Sequence, residues 1–313
     1  MSWGGEHGVR IGLSAVVMAL HSGRLCALTT LTPEGELALP SGPFDPVNDR
    51  TFERALRAFV TAQTGFKLGF VEQLYTFGDA GRDAPRATPG PDRRREISVG
   101  YLALTSDAVD MTPPGARWTS VLELFPWEDR RGGDRATLDA ITSGLAGWAG
   151  DDARRRARID ALFPAETAHR WDEARVLERF ELLYEAGLVA EAARDRDDVH
   201  PLPLGDRPMA SDHRRILATG LGRLRSKLRY RPVLFELTPE TFTLSELQAA
   251  AEAVVALNLH KQNFRRGVER TGLVAPTGRL STGTGGRPAE LYRYTGAAEI
   301  DGQAPGLALP ALR

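Results

Sequence analysis

The stretch "LHKQNFRRGVERTG", residues 259–272, decides how the C-terminal part of the chain folds. Its pattern is typical of a short helix on which Phe264 and Val268 are the inward, apolar positions. It follows "FTLSELQAAAEAVVAL" (242–257), which predicts a helix that Thr243 or Ser245 can cap. Two short helices separated by about three residues, the second polar and basic, predict a helix-turn-helix.

The segment after these helices predicts a β-hairpin wing, because "LVAPTGRLSTGTGGRPAELYRY" (273–294) has two alternating arms around a tip rich in Gly, Thr and Ser. Between His260 and Arg293, seven Lys and Arg face two acids, a local surplus of five positive charges in a chain whose net charge is −1. Lys and Arg neutralise phosphates, while Arg, Asn and Gln read base edges in the major groove. The candidate DNA-binding residues are Lys261, Gln262, Asn263, Arg265, Arg266, Arg279, Arg287 and Arg293. The alternative interpretation is a solvated face on a protein-interaction module.

Length and composition limit the remaining possibilities. With 313 residues, 42% of them hydrophobic and 26% charged, the chain can form two or three ordinary domains. Cys26 is the only cysteine, which excludes an internal disulfide and suits a reducing cytosol. The longest apolar stretch, residues 11–20, is too short to span a bilayer, and the first ten residues show no signal-peptide pattern. We therefore expect a soluble, cytoplasmic protein with no membrane partner.

The first part of the chain predicts an α+β domain. Segments rich in β-branched and aromatic residues alternate with turn signals at 9–19, 24–31, 68–77 and 96–104. A helix is predicted from Arg50 to Thr64, ending at Gly65, and a long loop is predicted at 79–95.

From residue 134 the pattern changes to helical spacing, with one helix predicted from Trp171 to Ala193. Charge runs and prolines at 194–210 predict a linker, which a long basic helix at 213–231 follows. The predicted organisation is an N-terminal domain (1–133), a helical segment with linker (134–205), a DNA-binding domain (206–298) and a disordered tail (299–313).

Several motifs resemble Nudix-related transcriptional regulators of NAD metabolism, the NrtR and NadQ type. "FTLSELQ", "NFRRGVERTGLV" and "GGRPAELYRY" resemble the winged-helix domain of that family over residues 241–294. "LALPSGPF", "QTGF", "VEQLYTFGD" and "EISVGYLAL" agree in order with its Nudix-like domain, and the helical stretch 134–200 looks closer to the NadQ branch. The resemblance implies an α+β chain with a Nudix-like α/β/α sandwich, a helical middle segment and a C-terminal winged helix-turn-helix.

The same comparison argues against catalysis. A working Nudix helix resembles Arg-Glu-apolar-x-Glu-Glu-x-Gly, whose glutamates hold Mg²⁺ ions. Aligned backward from Gly65, these positions are Ala58, Phe59, Ala62 and Gln63. Glu53 and Asp45 lie nearby but are isolated acids. We therefore predict no catalytic residues, no metal site and no enzyme activity.

The resemblance implies a sensor for an NAD-related adenine nucleotide, such as NAD, ADP-ribose or ATP, with no cofactor required. The candidate effector-binding residues are Arg57, Tyr75, Phe77, Arg82, Arg95 and Tyr101, since phosphate needs a cation and adenine favours an aromatic face. Alternatively, the aromatic residues belong to the core of their strands, and Arg82 and Arg95 are ordinary charged residues of a loop.

The functional prediction is a repressor of NAD biosynthesis genes, a homodimer on a palindromic operator of double-stranded DNA. The linker 194–210 and the basic helix 213–231 would carry the effect of the nucleotide to the DNA-binding domain. Two alternatives stay open: a Nudix-type nucleotide pyrophosphatase whose C-terminal module binds nucleic acid or protein, and an adaptor with no affinity for duplex DNA.

Overall fold

The N-terminal half of the chain is built on a mixed β-sheet with helices on both faces. The computed structural model describes residues 8–78, 95–106, 108, 115–132, 135–164, 171–196, 201–202, 204–281 and 288–296. The strands of this sheet are β1 (Val9–His21), β2 (Arg24–Leu31), β3 (Leu37–Ala38), β4 (Ser41–Pro43), β5 (Phe70–Phe77), β6 (Arg95–Thr105) and β7 (Arg117–Ser120). Within those residues the order is β3-β2-β1-β6-β5, with β4 paired to β1 and β7 paired to β2. Strands β1 and β6 are parallel and the other pairs are antiparallel.

Strand β1 is buried on both faces, which explains its nearly continuous apolar sequence. Leu13 and Val17 face the first helix, α1 (Phe52–Thr64), while Val16 and Met18 face the opposite core. Helix α1 begins at Thr51, whose side chain accepts from a backbone amide, and ends at Gly65 in the left-handed conformation. The predicted strands and the predicted helix 50–64 are confirmed to within a few residues.

Short helices cover the second face of the sheet. They are α2 (Val121–Leu124), α3 (Arg135–Ala149), α4 (Ala153–Leu162), α5 (Val176–Glu185), α6 (Ala190–Asp195) and α7 (His213–Lys227). The prediction of a single helix from Trp171 to Ala193 is wrong. The chain leaves the helix at Gly187, whose φ of 78° an L side chain rarely adopts, and α6 starts three residues later.

Helix α7 packs tightly between the sheet and the chain that precedes α5. A Cβ atom on Gly220 would lie 2.8 Å from Cγ1 of Val16, and one on Gly222 would lie 2.6 Å from the backbone oxygen of Ala174. Only glycine permits such close approach at these two positions. Helix α7 belongs to the predicted domain 206–298, and its packing partners include β1, β5 and β6.

The C-terminal module contains the predicted pair of helices and the predicted hairpin. After a 3₁₀ turn at Val233–Leu237, its elements are β8 (Thr241–Phe242), α8 (Leu244–Val255), α9 (Lys261–Thr271), β9 (Val274–Leu280) and β10 (Glu290–Tyr294). Its strands form an antiparallel sheet in the order β8-β10-β9. Phe264 and Val268 of α9 are buried, as predicted. The predicted disordered tail lies outside the described residues.

A buried ionic cluster joins the two halves of the protein. Glu128 is 0% exposed and accepts from Nε of Arg179 at 2.6 Å, and its other oxygen pairs with Arg225. We call Glu128, Arg179 and Arg225 the Glu128 cluster. Arg225 also donates from Nε to the backbone oxygen of Val254, at the end of α8, at 2.8 Å. Burial alone would raise the pKa of Glu128, but the two guanidiniums outweigh it, so this pKa lies below its ordinary value.

Candidate nucleic-acid interface and ligand cleft

Helix α8 is fixed at its start by a reciprocal cap. The Thr243 hydroxyl accepts from the Glu246 amide at 3.1 Å, and the Glu246 carboxylate accepts from the Thr243 amide at 2.7 Å. The helix ends at Ala256, which has a left-handed φ of 55°. This sharp end, followed by four residues, sets the angle at which α9 begins.

Helix α9 presents its polar residues to solvent. Phe264 and Val268 hold it against the core, so the residues around the rest of the helix point outward. The exposed side chains are Lys261, Gln262, Asn263, Arg266, Glu269 and Arg270. This is the arrangement expected of a helix that enters a DNA groove.

Arg265 differs from its neighbours because its guanidinium contacts the protein. It donates to the Ser245 hydroxyl, in the first turn of α8, at 3.1 Å, and its Nε is buried. Burial and the hydrogen bond to Glu290 raise the pKa of Tyr292 on the wing strand β10, and the positive charge of Arg265 offsets a small part of this rise. The structure therefore places Arg265 in the angle between α8, α9 and the wing.

The wing carries two of the three predicted arginines within the described residues. Arg279 lies near the end of β9 and is exposed. Arg293 is exposed on β10, opposite Ala275 and Thr241, while the neighbouring Tyr292 and Tyr294 are partly buried. Arg287 lies outside the described residues. The structure thus brings seven of the eight predicted DNA-binding residues onto α9 and its adjoining hairpin.

The N-terminal half contains a cleft beside the first residues of β1. It has two adjoining chambers of about 610 Å³ and 640 Å³, which share Thr32, Ser41 and His213. The first chamber is lined by polar and apolar groups in about equal measure, and its polar side chains include Arg10, Ser14, Glu34, Glu36, Glu96 and Ser98. This volume lies within the range of small-molecule sites.

Short polar contacts shape the walls of this cleft. The hydroxyls of Ser14 and Ser98 are hydrogen bonded at 2.8 Å across the parallel strands. His213, the first residue of α7, accepts the Leu39 amide on Nδ1 at 3.1 Å, so the neutral ring carries its proton on Nε2. Sequence reasoning did not find these residues. The available signal was the two serines in otherwise apolar strands.

The predicted effector-binding residues are not gathered in this cleft. Tyr101 is buried on the α1 face of the sheet, where burial raises its pKa, whereas Phe77 is buried on the opposite face. Tyr75 is 65% exposed and its ring contacts that of Phe77 at 5.5 Å. Arg82 lies outside the described residues.

The two remaining candidates are engaged with backbone carbonyls. Arg57 donates to the oxygens of Leu68 and Gly69 and pairs with Glu53 at 2.8 Å. Arg95 donates from Nε to the oxygen of Gly78 at 3.1 Å. These contacts fix the chain around β5 and leave both guanidiniums with protein partners.

The positions of the Nudix acids have structural roles here. A Cβ atom on Gly42 would lie 3.1 Å from the Phe59 ring, so this ring packs directly under the loop. Gln63 donates to the Ser41 oxygen at 2.7 Å and accepts its amide at 3.3 Å. Asp45 accepts from Asn48 within its own turn, which holds the Asp45 pKa below its ordinary value.

Among the described residues, no group of three His, Cys, Asp or Glu is placed to hold a metal ion. In the same part of the chain, no helix is both long enough and apolar enough to cross a bilayer.

The C-terminal part of the chain is similar in sequence to known DNA-binding domains. Residues 234–294 match the family model described as the NrtR DNA-binding winged helix domain. A protein of Acinetobacter baylyi named ADPR responsive transcriptional repressor NtrR is 41% identical over 86 residues, which are 28% of this chain. The match spans 34% of the length of that relative.

Solved structures resemble nearly the whole chain in fold. Shewanella oneidensis NrtR, crystallised with a 27mer DNA, matches with a TM-score of 0.52 at 22% identity, over 91% of this chain and 93% of that one. A MutT/nudix family protein from Enterococcus faecalis matches with a TM-score of 0.54 at 14% identity, over 94% and 90%. The predicted fold, a Nudix-like N-terminal domain and a C-terminal winged helix, is confirmed.

Proposed function

We propose that this protein is a DNA-binding transcriptional repressor whose Nudix-like domain senses an NAD-related adenine nucleotide. The observation that carries the proposal is the exposed polar and basic face of α9, held between a capped helix and a wing, in the segment that matches the winged-helix family. The relative from Acinetobacter is named a repressor that responds to ADPR, which supports both halves of the proposal. NAD biosynthesis genes are the proposed targets, as the sequence resemblance implies.

The cleft favours ADP-ribose or NAD over ATP. Its first chamber is lined by one arginine, Arg10, and three carboxylates, Glu34, Glu36 and Glu96. Carboxylates accept hydrogen bonds from ribose hydroxyls, whereas they repel phosphate oxygens. A nucleotide with two sugars and two phosphates therefore suits one positive and three negative side chains better than a triphosphate does.

We further propose that the Nudix-like domain binds without cleaving. Phe59 and Gln63 lie where the Nudix pattern requires glutamates. The Phe59 ring packs against Gly42, and the Gln63 side chain is hydrogen bonded to the backbone of Ser41. Without the glutamates of the Nudix helix, α1 supplies no carboxylate cluster to hold Mg²⁺ on the pyrophosphate.

The oligomeric state, the operator, the cellular location and the subfamily are further proposals. The chain acts as a homodimer on a palindromic operator in the cytoplasm, and its helical middle segment relates it to the NadQ branch. The proposed DNA-binding domain is 206–298, and the match to the winged-helix family model covers residues 234–294 of it.

The test is a titration of the purified chain with duplex DNA from upstream of its own and neighbouring genes, at fixed salt. ADP-ribose, NAD and ATP are added in turn, and products are analysed in Mg²⁺. Sequence-specific binding that ADP-ribose or NAD changes, without turnover, supports the proposal. Nucleotide hydrolysis supports the pyrophosphatase, and absence of duplex binding supports the adaptor.

A further inference from the structure

Three hydrogen bonds tie the end of α8 and the turn before α9 to the rest of the protein. Nε of Arg225 donates to the Val254 oxygen at 2.8 Å. The Arg130 amide donates to the Ala256 oxygen at 2.9 Å. The Asn258 side-chain amide donates to the Arg131 oxygen at 3.1 Å. All three bonds lie within seven residues of the start of α9, so the position of α9 follows the position of their partners.

The charges of the Glu128 cluster explain why Arg225 reaches toward α8. One buried carboxylate is shared by two buried guanidiniums, so Arg225 needs further acceptors, one of which is the backbone oxygen of Glu173 at 3.1 Å. The last carbonyls of α8 carry the negative end of the helix dipole and have no partner within the helix. Arg225 satisfies one of them and thereby compensates its own charge. A shift of Arg225 relative to α8 would leave the Val254 oxygen without this donor, which is unfavourable in a buried site.

The opposite end of α7 lies at the cleft. His213 lines both chambers and bonds to Leu39, while Arg225 lies twelve residues further along the same helix. Twelve residues of α-helix span about 18 Å. Gly220 and Gly222 hold the helix in direct contact with Val16 and Ala174, without side chains that could absorb a displacement. The cleft and the turn before α9 are therefore joined by one stiff element.

We propose that Arg225 is the positioning residue through which occupancy of the cleft sets the orientation of α9 for DNA. A ligand that contacts His213 moves α7 along its glycine contacts, and Arg225 transmits the movement to the end of α8. Asn258 holds the other side of the same turn. This inference rests on the proposed function and adds the route by which nucleotide and operator influence each other.

The experiment measures the ratio of operator affinities with and without ADP-ribose, with NAD as a second probe. Arg225→Lys keeps the charge but cannot satisfy Glu128 and Val254 together, and Arg223→Lys, exposed on the same helix, is its control. Asn258→Ala removes one exposed bond and is safe for folding. Its control is Asn48→Ala, which also loses one exposed amide contact. Hydrogen exchange of residues 256–260 is followed in parallel.

We expect a ratio of about 5- to 150-fold in the unaltered protein, the usual range for allosteric coupling. Arg225→Lys and Asn258→Ala should each reduce it at least about threefold while both ligands still bind separately. Both controls should keep the ratio. ADP-ribose should change exchange at 256–260 in the unaltered protein but not in Arg225→Lys.

Two results overturn the inference in distinguishable ways. In the first, the unaltered protein shows coupling, and both Asn258→Ala and a folded Arg225→Lys retain it. The route through this turn is then wrong, while the proposed function stands. If Arg225→Lys does not fold, Asn258→Ala and the exchange at 256–260 decide alone. If the unaltered protein binds no operator or no nucleotide, the proposed function fails and the inference fails with it.

Discussion

Replacing Glu128 by Gln should destabilise the protein strongly. The substitution keeps the shape of the side chain but removes the carboxylate that Arg179 and Arg225 share, all three residues being at most 1% exposed. Removing one partner of a buried ion pair costs about 3–5 kcal/mol, because the remaining charge has no compensation. Gln keeps one acceptor oxygen, so we expect a value near the lower end, about 3 kcal/mol.

Urea denaturation followed by circular dichroism measures this loss. With a slope of about 1–3 kcal/mol per molar urea, the midpoint should fall by about 1 M or more. The control is Glu123→Gln, which removes a half-exposed carboxylate from looser pairs with Arg24 at 3.9 Å and Arg207 at 3.5 Å. Exposed pairs of this kind contribute less than about 1 kcal/mol. Equal midpoints for the two variants would show that the cluster does not hold the fold together.

The dependence on pH gives a second check. Because the folded-state pKa of Glu128 is lowered, its contribution is complete above the unfolded value and is lost as pH falls through the folded value. The difference between the unaltered protein and Glu128→Gln should therefore stay constant between about pH 6 and 8 and shrink below about pH 4.5. A difference that stays constant down to pH 3 would contradict this assignment of charge.

Three further predictions concern binding and packing. Arg266→Ala should weaken specific operator binding by about 1–3 kcal/mol without changing the urea midpoint, as measured by fluorescence anisotropy; unchanged affinity at matched salt would exclude a base contact. Lys261→Ala should reduce the slope of log affinity against log salt by about one unit, and an unchanged slope would exclude a phosphate contact. Gly222→Ala should lower the thermal midpoint, because its Cβ would meet the Ala174 oxygen at 2.6 Å. Its control, Gly147→Ala, lies in open space on α3 and should stabilise the protein by about 1 kcal/mol. A higher thermal midpoint for Gly222→Ala than for Gly147→Ala would contradict the tight packing of α7.

Local patterns were sufficient to predict most elements of the fold. Alternation predicted the strands, and helical spacing with caps predicted α1, α8 and α9, because each of these signals lies within one short segment. The break at Gly187 was missed because the apolar spacing continues past it, while the backbone conformation of a single glycine ended the helix. Glu128, within "PWEDRR", has the sequence context of a surface acid. Only its two distant arginine partners make its burial possible.

The cleft could not be predicted from spacing. Its walls come from β1, β4, β6, the loop before β3 and the start of α7, which are far apart in sequence. Arginines near the expected site were good candidates by charge alone. The structure shows that Arg57 and Arg95 already have partners in the backbone, which no residue type reveals. By contrast, the DNA-binding candidates of α9 lie on one continuous helix, so their common exposure followed from periodicity.

The contacts of Phe59 and Gln63 make glutamate unfavourable at both positions. Returning glutamate to position 63 would remove the donor that holds the Ser41 oxygen at 2.7 Å and place a negative charge beside that oxygen. Returning it to position 59 would remove the ring that packs under Gly42. Each of these two substitutions therefore weakens the loop 41–42 by itself. A glutamate at either position is tolerated only if that loop changes with it.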